Sequence, residues 1–322
     1  MIYINPNDIK IKETLHFHYK FMFYVIKKKI NGSSISIEKP FSKMKNVKRL
    51  SEIPQNIIDF LNNDENLKTI LCGLPHELNN VKDQFNSENE KDALKRIFNY
   101  NSWVKKSGVF NFYSPYDLSE KLKIDTCTYC NRLYTKTVIR KNNGGERKTI
   151  TRPEFDHWFP KSDYPILALS FFNLIPSCHV CNSSVKGVDD FSLNTHLHPY
   201  VDNFDLIKFR FSYSFQKTMD SYKFKIISGN EKTKNTVEAF KLDDIYKAHE
   251  DEIKDLVKIR QLYSDSYLEN LSNIMNNKGV VISNEEMYRL AFSTQLNETR
   301  FKDRPLSRMK RDILKELGII KP

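Results

Sequence analysis

Five cysteines in 322 residues are too few to staple a secreted scaffold with disulfides, so a reducing compartment is expected. No apolar run approaches the roughly 20 residues of a membrane-spanning helix. The longest, such as Phe21–Ile26 and Ile166–Leu169, stop far short of it. Met1-Ile2-Tyr3-Ile4-Asn5-Pro6 shows no basic patch running into an apolar stretch, so no secretory signal is expected and the cytoplasm is the expected location. No internal repeat and no low-complexity linker is evident. The hydrophobic share of 39% and the charged share of 28% exclude a disordered chain, a collagen-like fibre and a membrane bundle.

What is present is positive charge. The formal net charge is +11, which points to a polyanionic partner, nucleic acid being the commonest. A composition rich in Lys, Asn and Ile explains the same excess without a partner. The length allows one large core or two modest ones.

Three regions are expected in an α+β chain. Residues 1–119 read as mixed and mostly helical. Within them Glu13–Ile26 alternates enough for a strand, with His16 and His18 on an exposed face. Lys27–Arg49 carries eight basic residues and one acidic residue, with Asn31-Gly32-Ser33-Ser34 and Pro40. It reads as a loop or hairpin that is either a phosphate-contacting patch or a solvated basic face. Pro54–Phe60 and Glu90–Tyr100 show helical spacing. Residues 120–205 hold most of the chemistry, including a β-hairpin over Leu133–Thr151 turned at Asn142-Asn143-Gly144-Gly145. Residues 206–322 open with a second hairpin, Ile207–Phe215 and Tyr222–Ile227. Helices follow over Thr236–Met275, Glu285–Leu296 and Ser307–Leu317.

Four of the cysteines form two C-x-x-C pairs, Cys127-Thr128-Tyr129-Cys130 and Cys178-His179-Val180-Cys181. Each turn brings two thiolates to one metal, so the two pairs together make a four-cysteine site that staples distant segments. Zinc is the expected occupant and an iron–sulfur cluster the alternative. A site closed by four cysteines is structural rather than catalytic. A thioredoxin-type role fails, because that motif uses one pair at a helix start. Cys72 stands apart in an apolar stretch and reads as a small buried hydrophobe. His179, inside the second knuckle, reads as outward-facing.

Between the pairs lies Glu154-Phe155-Asp156-His157-Trp158-Phe159-Pro160-Lys161. Asp156 and His157 are adjacent and strand-like. They point to opposite faces unless the strand ends there, and a terminus at Pro160 lets both reach one site. Asp156 is a hard oxygen ligand suited to magnesium or manganese. His157 titrates near neutrality and suits a general base. Asn182 offers a second oxygen from a helix start. Lys161, Lys186 and Arg152 are candidate phosphate contacts, with solvated side chains as the plain alternative.

This stretch resembles the HNH endonuclease family, whose core is the ββα-metal fold. The resemblance covers roughly residues 125–200, about a quarter of the chain. It rests on Asp156-His157 on a first strand and Asn173 entering a second. Cys178-His179-Val180-Cys181-Asn182 with Lys186-Gly187 opens a helix. The cysteine pairs match a subgroup with a zinc ribbon. The resemblance implies that Asp156 and Asn182 hold a catalytic Mg2+ or Mn2+, that His157 activates water and that Asn173 braces the loop. Many family members have histidine where Asn182 stands, and asparagine makes a weaker, harder site. His196-Leu197-His198-Pro199-Tyr200 resembles a segment common in HNH proteins of bacterial defence, so His198 either lines the site or makes a structural hydrogen bond. The implied partner is DNA, with RNA open. An accompanying ATPase and a homodimer are further implied partners. The competing expectations are an effector active only in a complex and a zinc-ribbon nucleic-acid-binding module without catalysis.

Overall fold

In a computed structural model, residues 1–32, 47–142, 147–186, 191–219, 221–262, 270, 273–274 and 283–320 are described. The chain divides into two compact units that interleave in sequence. One comprises Asn5–Lys123 and Thr135–Ser177 and is called the histidine unit. The other comprises Met1–Ile4, Ile124–Tyr134 and Cys178–Pro322 and is called the cysteine unit. Both mix helices with two-stranded antiparallel sheets, so the α+β class holds. Among the described residues no helix is long and apolar enough to cross a membrane.

The histidine unit is organised by α1 (Ile9–Asn31). Asp8 caps its start, accepting from the Lys10 amide, and Gly32 at φ 66 ends it. The strand expected over Glu13–Ile26 is therefore corrected. Ile11, Thr14, His18, Phe21, Met22, Val25 and Ile30 are buried at helical spacing along the whole segment, and that long period outweighs a short alternation. His16 is exposed, as expected. His18 is buried, with Nε2 2.8 Å from the Leu169 carbonyl and Nδ1 3.1 Å from the Tyr113 hydroxyl. Burial pushes its pKa down to about 4.

Short helices surround α1: α2 (Gln55–Asn62), α3 (Asp64–Cys72), α4 (Pro75–Val81), α5 (Glu88–Ile97), α6 (Tyr100–Val104) and α7 (Pro115–Leu122). Two lysines of the basic run are used up inside this packing. Lys27 Nζ donates to the Asn62 carbonyl at 2.7 Å and pairs with Asp64. Lys29 Nζ donates to the Ile97 carbonyl at 2.6 Å and the Arg96 carbonyl at 3.1 Å. Both satisfy carbonyls at helix C-termini, where a cation is favoured. The phosphate-patch expectation is withdrawn for these two; residues 33–46 of the same run lie outside the described residues.

β1 (Val138–Lys141) and β2 (Arg147–Thr151) form the expected antiparallel hairpin, with a shorter first strand than the alternation implied. β3 (Glu154–His157) pairs with β4 (Leu174–Ser177), setting Asp156 opposite Ile175 and His157 opposite Leu174.

The cysteine unit contains the second expected hairpin, β5 (Phe209–Gln216) with β6 (Ser221–Ser228). The helices expected over Thr236–Met275 are, among the described residues, α8 (Glu231–Ala239), α9 (Leu242–Lys247) and α10 (Glu250–Leu262), and most of 263–275 lies outside the described residues. The first break falls at Lys241, at φ 48. The kink turns Phe240 and Leu242 into the core, and burying two large side chains offsets the roughly 1–2 kcal/mol of a left-handed residue. The helix Ser307–Glu316 packs on β5, where Asp312 accepts from the Phe211 amide at 3.1 Å. Buried Arg308 donates to the Ile207 and Phe209 carbonyls and lies 3.9 Å from the Phe209 ring.

Candidate metal centre and candidate active site

The two C-x-x-C pairs meet in the cysteine unit, as expected. All four Sγ atoms lie within 4.8 Å of one another and all four residues are buried. Cys130 Sγ and Cys178 Sγ are 4.0 Å apart. Tetrahedral zinc with bonds of about 2.3 Å sets its sulfurs roughly 3.8 Å apart, so the donor set fits a structural zinc ion. The first knuckle closes when the Asn131 amide donates to the Cys127 carbonyl at 2.8 Å, with Asn131 at φ 51. The Arg132 amide points at Cys130 Sγ, 3.4 Å away. In the second knuckle the Cys181 amide lies 3.5 Å from Cys178 Sγ. Tyr246 donates its hydroxyl to the Cys130 carbonyl, and Tyr129 stacks on Phe240 at 4.1 Å. Burial pushes the Cys127 thiol up, whereas hydrogen bonds with Cys127 hold Cys130 and Cys178 down. Cys72, expected to be buried, is half-buried, and desolvation pushes its thiol up to about 12.

The histidine unit gathers Asp156, His157 and Asn173. His157 is the last residue of β3, and it and Asp156 are 7% and 5% exposed. His157 Nε2 lies 3.0 Å from the Ala168 carbonyl. A carbonyl only accepts, so Nε2 carries the proton and Nδ1 is the basic nitrogen. Asn173 is wholly buried and makes three backbone bonds. Its Oδ1 accepts from the Phe159 amide at 2.7 Å, and its Nδ2 donates to the Phe159 and Leu167 carbonyls at 3.0 and 3.1 Å. It therefore fastens the loop that supplies the Ala168 carbonyl, which makes it a positioning residue.

Tyr100 is the residue that sequence reasoning missed. Its ring meets the His157 ring edge-on, with centroids 4.5 Å apart and planes at 79°. Its hydroxyl faces the Phe155 carbonyl at 3.4 Å, and burial pushes its pKa up to about 12. It stands on α6, far from the motif in sequence, and no local pattern marks it. Lys161 is exposed and holds its ammonium 5.5 Å from the Tyr100 ring centroid. Arg152 donates to the Pro153 carbonyl and lies over Tyr116.

The remaining candidates belong to the cysteine unit. Asn182 sits in the short helical turn Val180–Val185, half-buried, with its amide on the Cys178 carbonyl at 3.0 Å. His179 is exposed, as expected. Lys186 lies 5.0 Å from the Phe191 ring centroid. His198 is wholly buried, and its Nδ1 accepts from the Tyr200 amide at 3.1 Å. Burial pushes its pKa well down. That is the structural hydrogen bond offered as the alternative to a substrate contact.

No protein-family model matches the chain, and no solved structure matches it. The chain is similar to protein ea31 of Escherichia phage lambda, at 28% identity over 116 residues. That stretch is 35% of this chain and 32% of the relative, so the chain spans about a third of the length of the relative it matches.

Proposed function

We propose that the chain is a metal-dependent HNH-type endonuclease that hydrolyses phosphodiester bonds of DNA, with zinc held by Cys127, Cys130, Cys178 and Cys181. One observation carries the reading. A histidine at the end of an antiparallel strand pair has its Nε2 committed to a backbone carbonyl, which makes Nδ1 the nitrogen that can act as the base. The strand pair runs directly into the second knuckle and a helical turn bearing Asn182. That order of elements is what the ββα-metal resemblance requires.

Asp156 and Asn182 offer hard oxygen donors that suit magnesium or manganese. Among the described residues the four cysteines are the group of three or more His, Cys, Asp or Glu with metal-binding geometry. A catalytic ion held by the Asp156 oxygen would keep water and substrate phosphate in its other positions, the usual habit of magnesium. Such an ion would supply charge stabilisation at the phosphoryl and leaving oxygens. His157 Nδ1 takes a proton from the attacking water. The oxygen of that water bonds to phosphorus, the P–O3′ bond breaks and the leaving oxygen takes a proton from solvent. The Ala168 carbonyl keeps the imidazole in the required tautomer, and Asn173 keeps that carbonyl in place.

The test is cleavage of supercoiled plasmid with magnesium, manganese or chelator, with zinc content measured on the same samples. The wild type nicks or linearises the plasmid only with a divalent ion, His157→Ala does not, and both carry about one zinc per chain. A folded, zinc-loaded wild type that binds DNA and leaves it intact with every ion would overturn the reading in favour of a binding module.

A further inference from the structure

The β1–β2 ribbon carries a charge pattern that works against its own pairing. Arg140 stands opposite Lys148 and Lys141 opposite Arg147, and like charges directly opposite each other destabilise a strand pair. The two faces resolve this differently. Lys141 and Arg147 share a face with the half-buried Ile139 and Thr149. There Arg147 is neutralised by α7, with its two terminal nitrogens 2.8 Å from Asp117 and 2.8 Å from Glu120. Thr149 accepts from Lys106 Nζ on the same side. The other face has no such compensation. Arg140 and Lys148 are exposed, and among the described residues neither makes an ion pair. Ile150, next along that face, is 53% exposed. The hairpin is thus anchored by one face and presents on the other a cationic pair that no described residue neutralises, with an apolar contact beside it.

We propose that this outer face is a grip for duplex DNA, with Arg140 and Lys148 set against backbone phosphates. A two-stranded ribbon is of a size that the major groove admits, and the repulsion between Arg140 and Lys148 is relieved by the phosphate charge. The choice of DNA rests on the nuclease reading above. The ribbon continues straight into β3, with only Arg152 and Pro153 between Thr151 and Glu154. From Lys148 to His157 the chain advances nine residues, a span of at most about 30 Å. The grip therefore lies within roughly nine base pairs of the bond broken by the water that His157 deprotonates.

The experiment measures binding rather than cleavage, so it can fail independently of the nuclease reading. The full chain carrying His157→Ala is titrated against a fluorescent 30-base-pair duplex across a salt series. Arg140→Gln with Lys148→Gln weakens binding about tenfold at low salt and lowers the slope of log K against log salt by about 2. Lys10→Gln with Lys12→Gln removes the same charge from α1 and changes neither quantity by as much. The Arg140–Lys148 variant also keeps or raises its Tm, because a like-charge pair has been removed; a merely structural role for these residues would lower it. Unchanged affinity and slope in that variant, an equal loss in the α1 control or no duplex binding by the parent chain would each overturn the proposal.

Discussion

The two units bury polar groups by opposite means. In the histidine unit buried polar side chains are tied to backbone at three positions. Asn173 makes three such bonds, and His18 and His157 each hold a carbonyl. In the cysteine unit four buried thiols face one another, an arrangement that weak S–H hydrogen bonds do little to support. One unit ties these polar groups to its own backbone, and the other gathers four thiols whose spacing fits an ion. Metal removal should therefore act on the units unequally.

The largest effect follows from that difference. Cys130→Ser removes one of four thiolates from a structural site, and such sites supply on the order of 10 kcal/mol of folding free energy. The variant should lose its zinc and lose hydrogen-exchange protection across β5 and β6, while α1 keeps much of its own. Full zinc and full Tm in Cys130→Ser would show that the cluster is not the site. Next comes Asn173→Ala, which orphans a buried amide and two buried carbonyls. At about 1–3 kcal/mol for each stranded group, a loss of roughly 3 kcal/mol or more is expected in urea unfolding. Asn182→Ala, half-buried on a helical turn, should change stability by under about 1 kcal/mol while abolishing metal-dependent cleavage.

Acid should strain both units through histidines they bury neutral. His18 is held at about 4 by burial, against about 6.5 in the unfolded chain. The unfolded state binds the proton more readily, so the stability tied to neutral His18 is complete above about pH 6.5. It is lost as pH falls from there toward 4. The loss should reach about 2 kcal/mol at pH 5. His18→Asn should flatten the pH dependence of urea unfolding in that window. An unchanged slope would mean that His18 is not buried neutral. The smallest effect belongs to Tyr100. Tyr100→Phe keeps the ring edge against His157 and should cleave at nearly the wild-type rate, whereas Tyr100→Leu should lose about tenfold through a loosened imidazole.

What was legible in the sequence was what repeats locally. The C-x-x-C spacing announced the four-cysteine cluster, alternation announced both hairpins, with a turn signal for the first alone, and the Asp156–His157 strand pairs with β4. Glu13–Ile26 misled because His16, His18, Phe21 and Phe23 partly alternate inside a helix whose true period shows only over its full length. The roles of Lys27 and Lys29 were hidden because the carbonyls they satisfy, at Asn62, Arg96 and Ile97, lie on other helices. Tyr100 was invisible for the same reason: its relation to His157 exists only once α6 and β3 are folded in one unit.

The most direct measurement of His157 as the base is chemical rescue. His157→Gly is assayed on plasmid DNA with manganese, with and without added imidazole, across pH 6 to 8. Cleavage should be lost by about 10²–10⁴-fold and should return with imidazole in proportion to its unprotonated form. Wild-type cleavage by His157→Gly without imidazole would contradict the assignment.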